Sequence, residues 1–140
     1  MVKASSEYPS VVTDVSTVTL LPGSVLDWRY AQGVNVSLKE AAHESERIGL
    51  LMKEQGVDHC RLLIDVRDMG SITREARRYF ASQEVHDNYG VIGLALLIGS
   101  PIGTMVGNLY FSLNPTLHPT RLFTDRDIAM RWLLKLEPQG

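Results

Sequence analysis

The chain has one cysteine, Cys60, so neither an internal disulfide nor a CxxC zinc ribbon can hold it together. It also lacks an excess charge of either sign: 14 Lys+Arg against 16 Asp+Glu leave a net charge of −2. That balance gives no general attraction to nucleic acid or to anionic lipid. His43, His59, His86 and His118 show no HxxH or HxxxH spacing, and no metal site is expected. GxSxG, Walker and GxGxxG sequences are all missing, so neither a catalytic residue nor a cofactor is implied. The opening MVKASSEYPS has one Lys and no apolar run, unlike a secretory signal. With the unpaired Cys60 in an apolar run, this points to the cytoplasm.

What is present is enough apolar sequence for a core. At 140 residues and 44% hydrophobic content, one compact domain is expected, with residues 1–8 a flexible arm and 9–140 the domain. Val11 to Leu20 is rich in Val and Thr and reads as a strand. Leu21-Pro-Gly-Ser24 supplies a turn, and Val25 to Tyr30 alternates, with Leu26, Trp28 and Tyr30 opposite Asp27 and Arg29. An amino-terminal hairpin follows. Ser37-Leu-Lys-Glu40 has capping-box spacing. The helix behind it is expected to bury Leu38, Ala41, Ser45, Ile48 and Met52, leaving Lys39, Glu40, Glu44, Arg47 and Glu54 outside and stopping at Gly56.

Cys60 to Val66 and Val91 to Ile98 are apolar on both faces, as central strands of a helix-covered sheet are. Between them a second helix is predicted from Ile72 to about Tyr89, with Ala76, Tyr79 and Phe80 inward. Residues 91–113 carry no charge and have the length of a bilayer span, with Gly103 and Gly107 at GxxxG spacing. Gly99-Ser-Pro101 interrupts that run after eight residues, and Asn108 and Ser112 would need partners in hydrocarbon. A buried strand, a turn and an apolar third helix are therefore expected, with no membrane insertion. Arg121 to Phe123 is a short strand. Thr124-Asp-Arg-Asp127 starts a last helix whose stripe is Ile128, Ala129, Trp132, Leu133 and Leu136. The alternation gives an α/β fold: a mixed, mostly parallel sheet with an amino-terminal hairpin and about four helices.

This order, carried by LLIDVRDMGSITREARRYFAS (62–82), LLIGSPIGTMVGNLYFSLN (96–114), PTRLFTDRDIAMRWL (119–133) and VSLKEA (36–41), resembles the STAS domain (sulphate transporter and anti-sigma-factor antagonist) in the SpoIIAA-like sense. Within that superfamily the chain is similar to a branch of small uncharacterised bacterial proteins. In signalling members a strand ending in Asp leads to a helix start reading Asp-Ser-Ser-Gly, whose second Ser is phosphorylated. Matching Asp65 to the strand end puts Thr73, Arg74, Glu75 and Ala76 on those four positions. The phosphorylatable Ser is absent, and Glu75 is a permanent charge that a kinase cannot switch.

The resemblance implies a non-enzymatic regulatory domain that binds a protein partner. Ser71, Thr73, Arg74, Glu75, Arg77 and Arg78 are its candidate partner-binding residues. The third helix is apolar nearly all round and needs two surfaces to bury it. A homodimer is therefore expected through Met105, Leu109 and Tyr110. Three other readings are weighed against these. An apolar small-molecule carrier is the alternative function. Asp65 and Asp68 stand where open α/β sheets bind ligands, but two carboxylates that cap loop amides explain them as well. Cys60 reads as a small buried apolar residue.

Overall fold

A computed structural model describes residues 8–99 and 118–138. The first strands are β1 (Ser10–Val12), β2 (Ser16–Leu21), β3 (Val25–Tyr30) and β4 (Asn35–Val36). Helix α1 (Leu38–Glu54) leads to β5 (Cys60–Asp65) and β6 (Ser71–Ile72). Two short helices, α2 (Arg74–Phe80) and α3 (Gln83–Tyr89), precede β7 (Val91–Leu97). Strand β8 (Thr120–Phe123) and a fourth described helix, α4 (Arg126–Lys135), complete the order. The main sheet runs β1-β2-β3-β5-β7-β8. The first three strands are antiparallel, and β3, β5, β7 and β8 are parallel. The expected mixed, mostly parallel sheet with an amino-terminal hairpin is present.

The alternation along β3 and β5 builds two cores, one per sheet face. Leu26, Trp28, Leu62, Leu94 and Leu96 pack under α1, α2 and α3 against Ala41, Ile48, Met52, Ala76 and Tyr89. Val25, Leu63, Ala95, Leu97 and Phe123 pack on the other face under Ala129 and Leu133 of α4. Every residue of β7 is buried, as its unbroken apolar sequence requires. Each such Leu, Ile or Val contributes roughly 1.5–3 kcal/mol on burial. Arg61, on the α4 face of β5, donates from Nε to the Leu133 carbonyl at 2.9 Å, from Nη2 to Leu136 at 2.6 Å and from Nη1 to Gly23 at 2.5 Å.

Several expectations need correction. The strand read from Val11 to Leu20 is two strands, because Thr13 makes a turn: its hydroxyl accepts from the Ser16 amide at 3.0 Å, and its amide donates to the Ser16 carbonyl at 2.9 Å. The single helix read to Tyr89 breaks at Ala81-Ser82. There the Ser82 hydroxyl donates back to the Tyr79 carbonyl at 2.6 Å and accepts from Val85 N at 3.3 Å. On α1 the buried stripe is Ala41, Glu44, Ile48, Leu51 and Met52, while Leu38 is 45% exposed. Glu44 thus lies inside, not on the polar face. On α4, Ile128 is exposed and only Ala129 and Leu133 are fully buried. Gly56 ends α1 with φ +67°. The apolar helix expected around 101–113, with Met105, Leu109 and Tyr110, lies outside the described residues. Among the described residues no helix is long and apolar enough to cross a membrane.

Candidate functional site

Strand β5 ends at Asp65, and the chain from Val66 to Thr73 is tied down almost residue by residue. Val66 N donates to Leu97 O at 3.0 Å, Met69 N to Val66 O at 3.2 Å and Gly70 N to Val34 O at 2.8 Å. The parallel β4–β6 ladder pairs Asn35 with Ser71 and Val36 with Ile72. Gly33 N closes the clamp by donating to Asp68 O at 2.8 Å. Such close approach excludes a side chain at Gly70: a Cβ there would sit 2.8 Å from Gly33 O and 2.9 Å from Val34 O.

The six candidate partner-binding residues separate into two groups on this frame. Ser71 Oγ donates to Asn35 Oδ1 at 2.7 Å. Thr73 is the α2 N-cap, its hydroxyl accepting from Ala76 N at 3.1 Å. Arg77 is half-buried and turned back, with Nη1 donating to Ile72 O at 3.0 Å. These three serve the loop. Arg74 and Glu75 in the first turn of α2 and Arg78 in its last are exposed. Glu75 stands where the helix dipole favours a carboxylate.

The acid at the strand end is held by its neighbours. Burial alone would push the Asp65 carboxyl up, but the Arg67 guanidinium and amide, with Arg29 beyond, hold it below the ordinary range. Asp65 Oδ1 accepts from Arg67 N at 3.0 Å, and Oδ2 pairs with Arg67 Nη2 at 2.8 Å. It acts as a loop cap, ionised and spoken for, not as a poised base. Among the described residues no three His, Cys, Asp or Glu side chains come together as metal ligands. Cys60 is fully buried, and burial pushes its thiol up to about 12. It is therefore no nucleophile at neutral pH.

Beneath the loop lies an apolar cavity of about 50 Å³. Met69, Ile72 and Phe80 come from the loop and α2, Val85 and Tyr89 from α3, and Trp28, Leu62 and Leu94 from the sheet. Trp28 and Phe80 meet edge to face at 5.5 Å. The polar tips around the cavity point away from it. Tyr89 OH donates to Ser45 Oγ at 3.0 Å, while Trp28 Nε1 and Tyr30 OH both donate to Glu44, at 3.0 and 2.9 Å. The lining is almost wholly apolar and gives water little to bond to.

Glu44 is the group the sequence reading missed. It is fully buried between α1 and the hairpin, and Ser16 Oγ adds a third donor at 2.5 Å. Burial pushes its carboxyl up, to about 7, against the opposing effect of the three hydrogen bonds. Ser16 Oγ also meets Thr13 Oγ1 at 2.9 Å. A proton on Glu44 therefore has somewhere to point, since Ser16 can accept it while turning its own hydrogen to Thr13. The available signal was a charged residue three positions after Ala41 and four before Ile48, inside an apolar stripe. A second buried acid, Asp27, lies on the opposite sheet face. It pairs with Arg126 Nη2 at 2.6 Å and Arg29 Nη2 at 3.1 Å, joining β3 to the start of α4.

Two solved structures share this architecture. One is an uncharacterised protein of the DUF3478 family with a SpoIIAA-like fold from Shewanella loihica PV-4, with 11% identity and a TM-score of 0.54 over 90% of this chain and 91% of that one. The other is the anti-sigma factor antagonist SpoIIAA in its unphosphorylated form, with 9% identity and a TM-score of 0.57 over 86% of this chain and 99% of that one. At such identities the likeness is one of fold, and the fold is STAS-like. No curated protein matches the sequence. A family model does, over residues 20–137, and the chain belongs to that family: a domain of unknown function, DUF7793.

Proposed function

We propose that the chain is a non-enzymatic, STAS-like regulatory domain that docks a protein partner on the loop and helix start at 70–78. The observation that carries this reading is the exposed Arg74–Glu75–Arg78 surface on a clamped loop, in a fold shared with an anti-sigma factor antagonist. Docking is constitutive in this reading, not switched by phosphate. Ser71 and Thr73 use their hydroxyls in the loop, and Glu75 carries a permanent charge. The domain acts in the cytoplasm as a homodimer through Met105, Leu109 and Tyr110.

A photo-crosslinking residue at position 78, introduced in the native host, should capture one partner that the same residue at exposed Leu50 on α1 does not. The double reversal R74E/R78E should release that partner while leaving the fold intact. Equal capture from both positions, or capture unaffected by the reversal, would refute the docking surface. Stoichiometric phosphate on Ser71 or Thr73 in protein from the host would refute constitutive docking. For the dimer, M105D/L109D should halve the sedimenting mass, and an unchanged mass removes that interface. The alternative, an apolar-ligand carrier, finds less support. Its cavity of about 50 Å³ falls well short of the roughly 300–1,000 Å³ of ordinary ligand pockets.

A further inference from the structure

Strand β8 is the last strand of the main sheet, and among the described residues nothing pairs with its outer side. The carbonyls of Pro119 and Phe123 accept from β7 and the residue after it, through Leu94 N at 2.9 Å and Ile98 N at 2.8 Å. Strand alternation therefore turns the N–H and C=O groups of Thr120 and Leu122 outward. Beside this edge, Arg121 and Phe123 point to the α4 face. Ile128, Arg131, Trp132 and Lys135 recur along α4 at spacings of three, four and seven. Together these six line an open groove of about 290 Å³.

We propose that this groove receives an extended acidic segment of a protein partner, its carboxylates on Arg121, Arg131 and Lys135 and its backbone along the outer edge of β8. Three features argue for that occupant. The first is charge. The groove holds three cations and no carboxylate, although the chain as a whole is acidic by two charges. Asp127, one turn before Arg131, is not within ion-pairing distance of it; among the described residues none of the three cations is in an ion pair. Asp125 uses its carboxylate as the α4 cap, accepting from Ile128 N at 3.0 Å.

The second feature is shape. An open edge beside a helix accepts an extended chain by strand addition, with main-chain bonds giving affinity and alternate side chains entering the groove. Ile128, 49% exposed, offers apolar contact to a side chain between two acidic ones. The third feature disfavours nucleic acid, which a cationic and aromatic groove also suggests. Single-stranded bases need open aromatic faces to stack on. Phe123 is buried, with Arg121 over its ring at 5.4 Å and Trp132 against it at 5.4 Å. The groove lies across the sheet from α2, so the inference stands without the docking surface at 70–78.

The test uses the whole chain and a fluorescein-labelled peptide alternating Glu with Val and Leu, followed by anisotropy. Its Lys-for-Glu counterpart and a single-stranded oligonucleotide of equal charge serve as the other probes. The acidic peptide should bind, bind less well as salt rises, and protect the Thr120 and Leu122 amides from exchange. The surface reversal R131E/K135E should leave the circular dichroism unchanged and weaken binding by roughly tenfold or more. The proposal is overturned if the acidic peptide does not bind, or if the reversal leaves its affinity unchanged. It is equally overturned if the oligonucleotide binds as tightly. Self-association of the wild type that R131E/K135E abolishes would give the groove to a second copy, and so would also defeat it.

Discussion

Replacing Glu44 with Gln should make the chain more stable above neutral pH and nearly indifferent to pH between 5 and 8. Burial holds the Glu44 carboxyl near 7 in the folded state, against an ordinary value of 4.5. Between those values the folded chain keeps a proton that the unfolded chain has released, so this group's stabilisation is complete below 4.5. It is lost as pH rises and gone above 7. The separation is worth roughly 3 kcal/mol, or on the order of 10 °C in melting temperature for a domain of this size. Gln has the same shape and no charge. Its carbonyl oxygen can keep the donors from Ser16 and Trp28, and its amide faces Tyr30, whose hydroxyl oxygen can accept. Urea unfolding of wild type and E44Q at pH 5 and pH 8, at matched ionic strength, reads the effect directly. The two proteins should lie within about 1 kcal/mol at pH 5 and separate by roughly 2–3 kcal/mol at pH 8, with E44Q the more stable. Curves that run parallel across that range would refute the assignment of the pH dependence to Glu44. As a control, E44A leaves three buried donors unmet and should lose about 2–4 kcal/mol at both pH values.

The apolar cavity under the loop gives a second expectation: Val85→Ile adds one methylene from α3 into a space of about 50 Å³ and should raise stability by up to about 1 kcal/mol in denaturant titration. A loss would show that the lining cannot take the extra volume. Thr73→Ala removes the α2 cap and should cost about 1 kcal/mol, with Thr73→Ser restoring most of it. Cys60, buried and pushed up to about 12, should resist thiol reagents in the native protein and react at full rate in denaturant. Rapid labelling without unfolding would contradict its place in the core.

Most of the frame was legible because it rests on local chemistry that tertiary contacts merely reinforce. The alternation of Val25–Tyr30, the unbroken apolar run of Val91–Leu97 and the stop at Gly56 each specify one answer. The errors fall where a side chain's hydrogen bonds outweigh its type. Thr13 and Ser82 look like ordinary strand and helix residues, yet each uses its hydroxyl to end an element. Glu44 has the charge of a surface residue and the position of a core one. Periodicity sets it on the apolar stripe while its charge argues for the surface, and the three donors that decide between the two come from β2 and β3, fourteen to twenty-eight residues earlier. The six loop residues were picked out by the family resemblance, with only Arg74, Arg77 and Arg78 also marked by helical spacing. Their division into tied and exposed groups depends on the β4–β6 pairing, which only the fold supplies.

Arg61 ties together parts of the chain that are far apart in sequence. Its guanidinium holds the carboxyl-terminal end of α4 and the hairpin turn at Gly23 at once. If the last helix peeled off, the two guanidinium donors held by Leu133 and Leu136 would lose their acceptors, and the arginine would brace the hairpin turn from one side only. The two extremities of the fold should therefore open as one event, so that amide exchange in α4 and at the β2–β3 turn shares a single protection free energy.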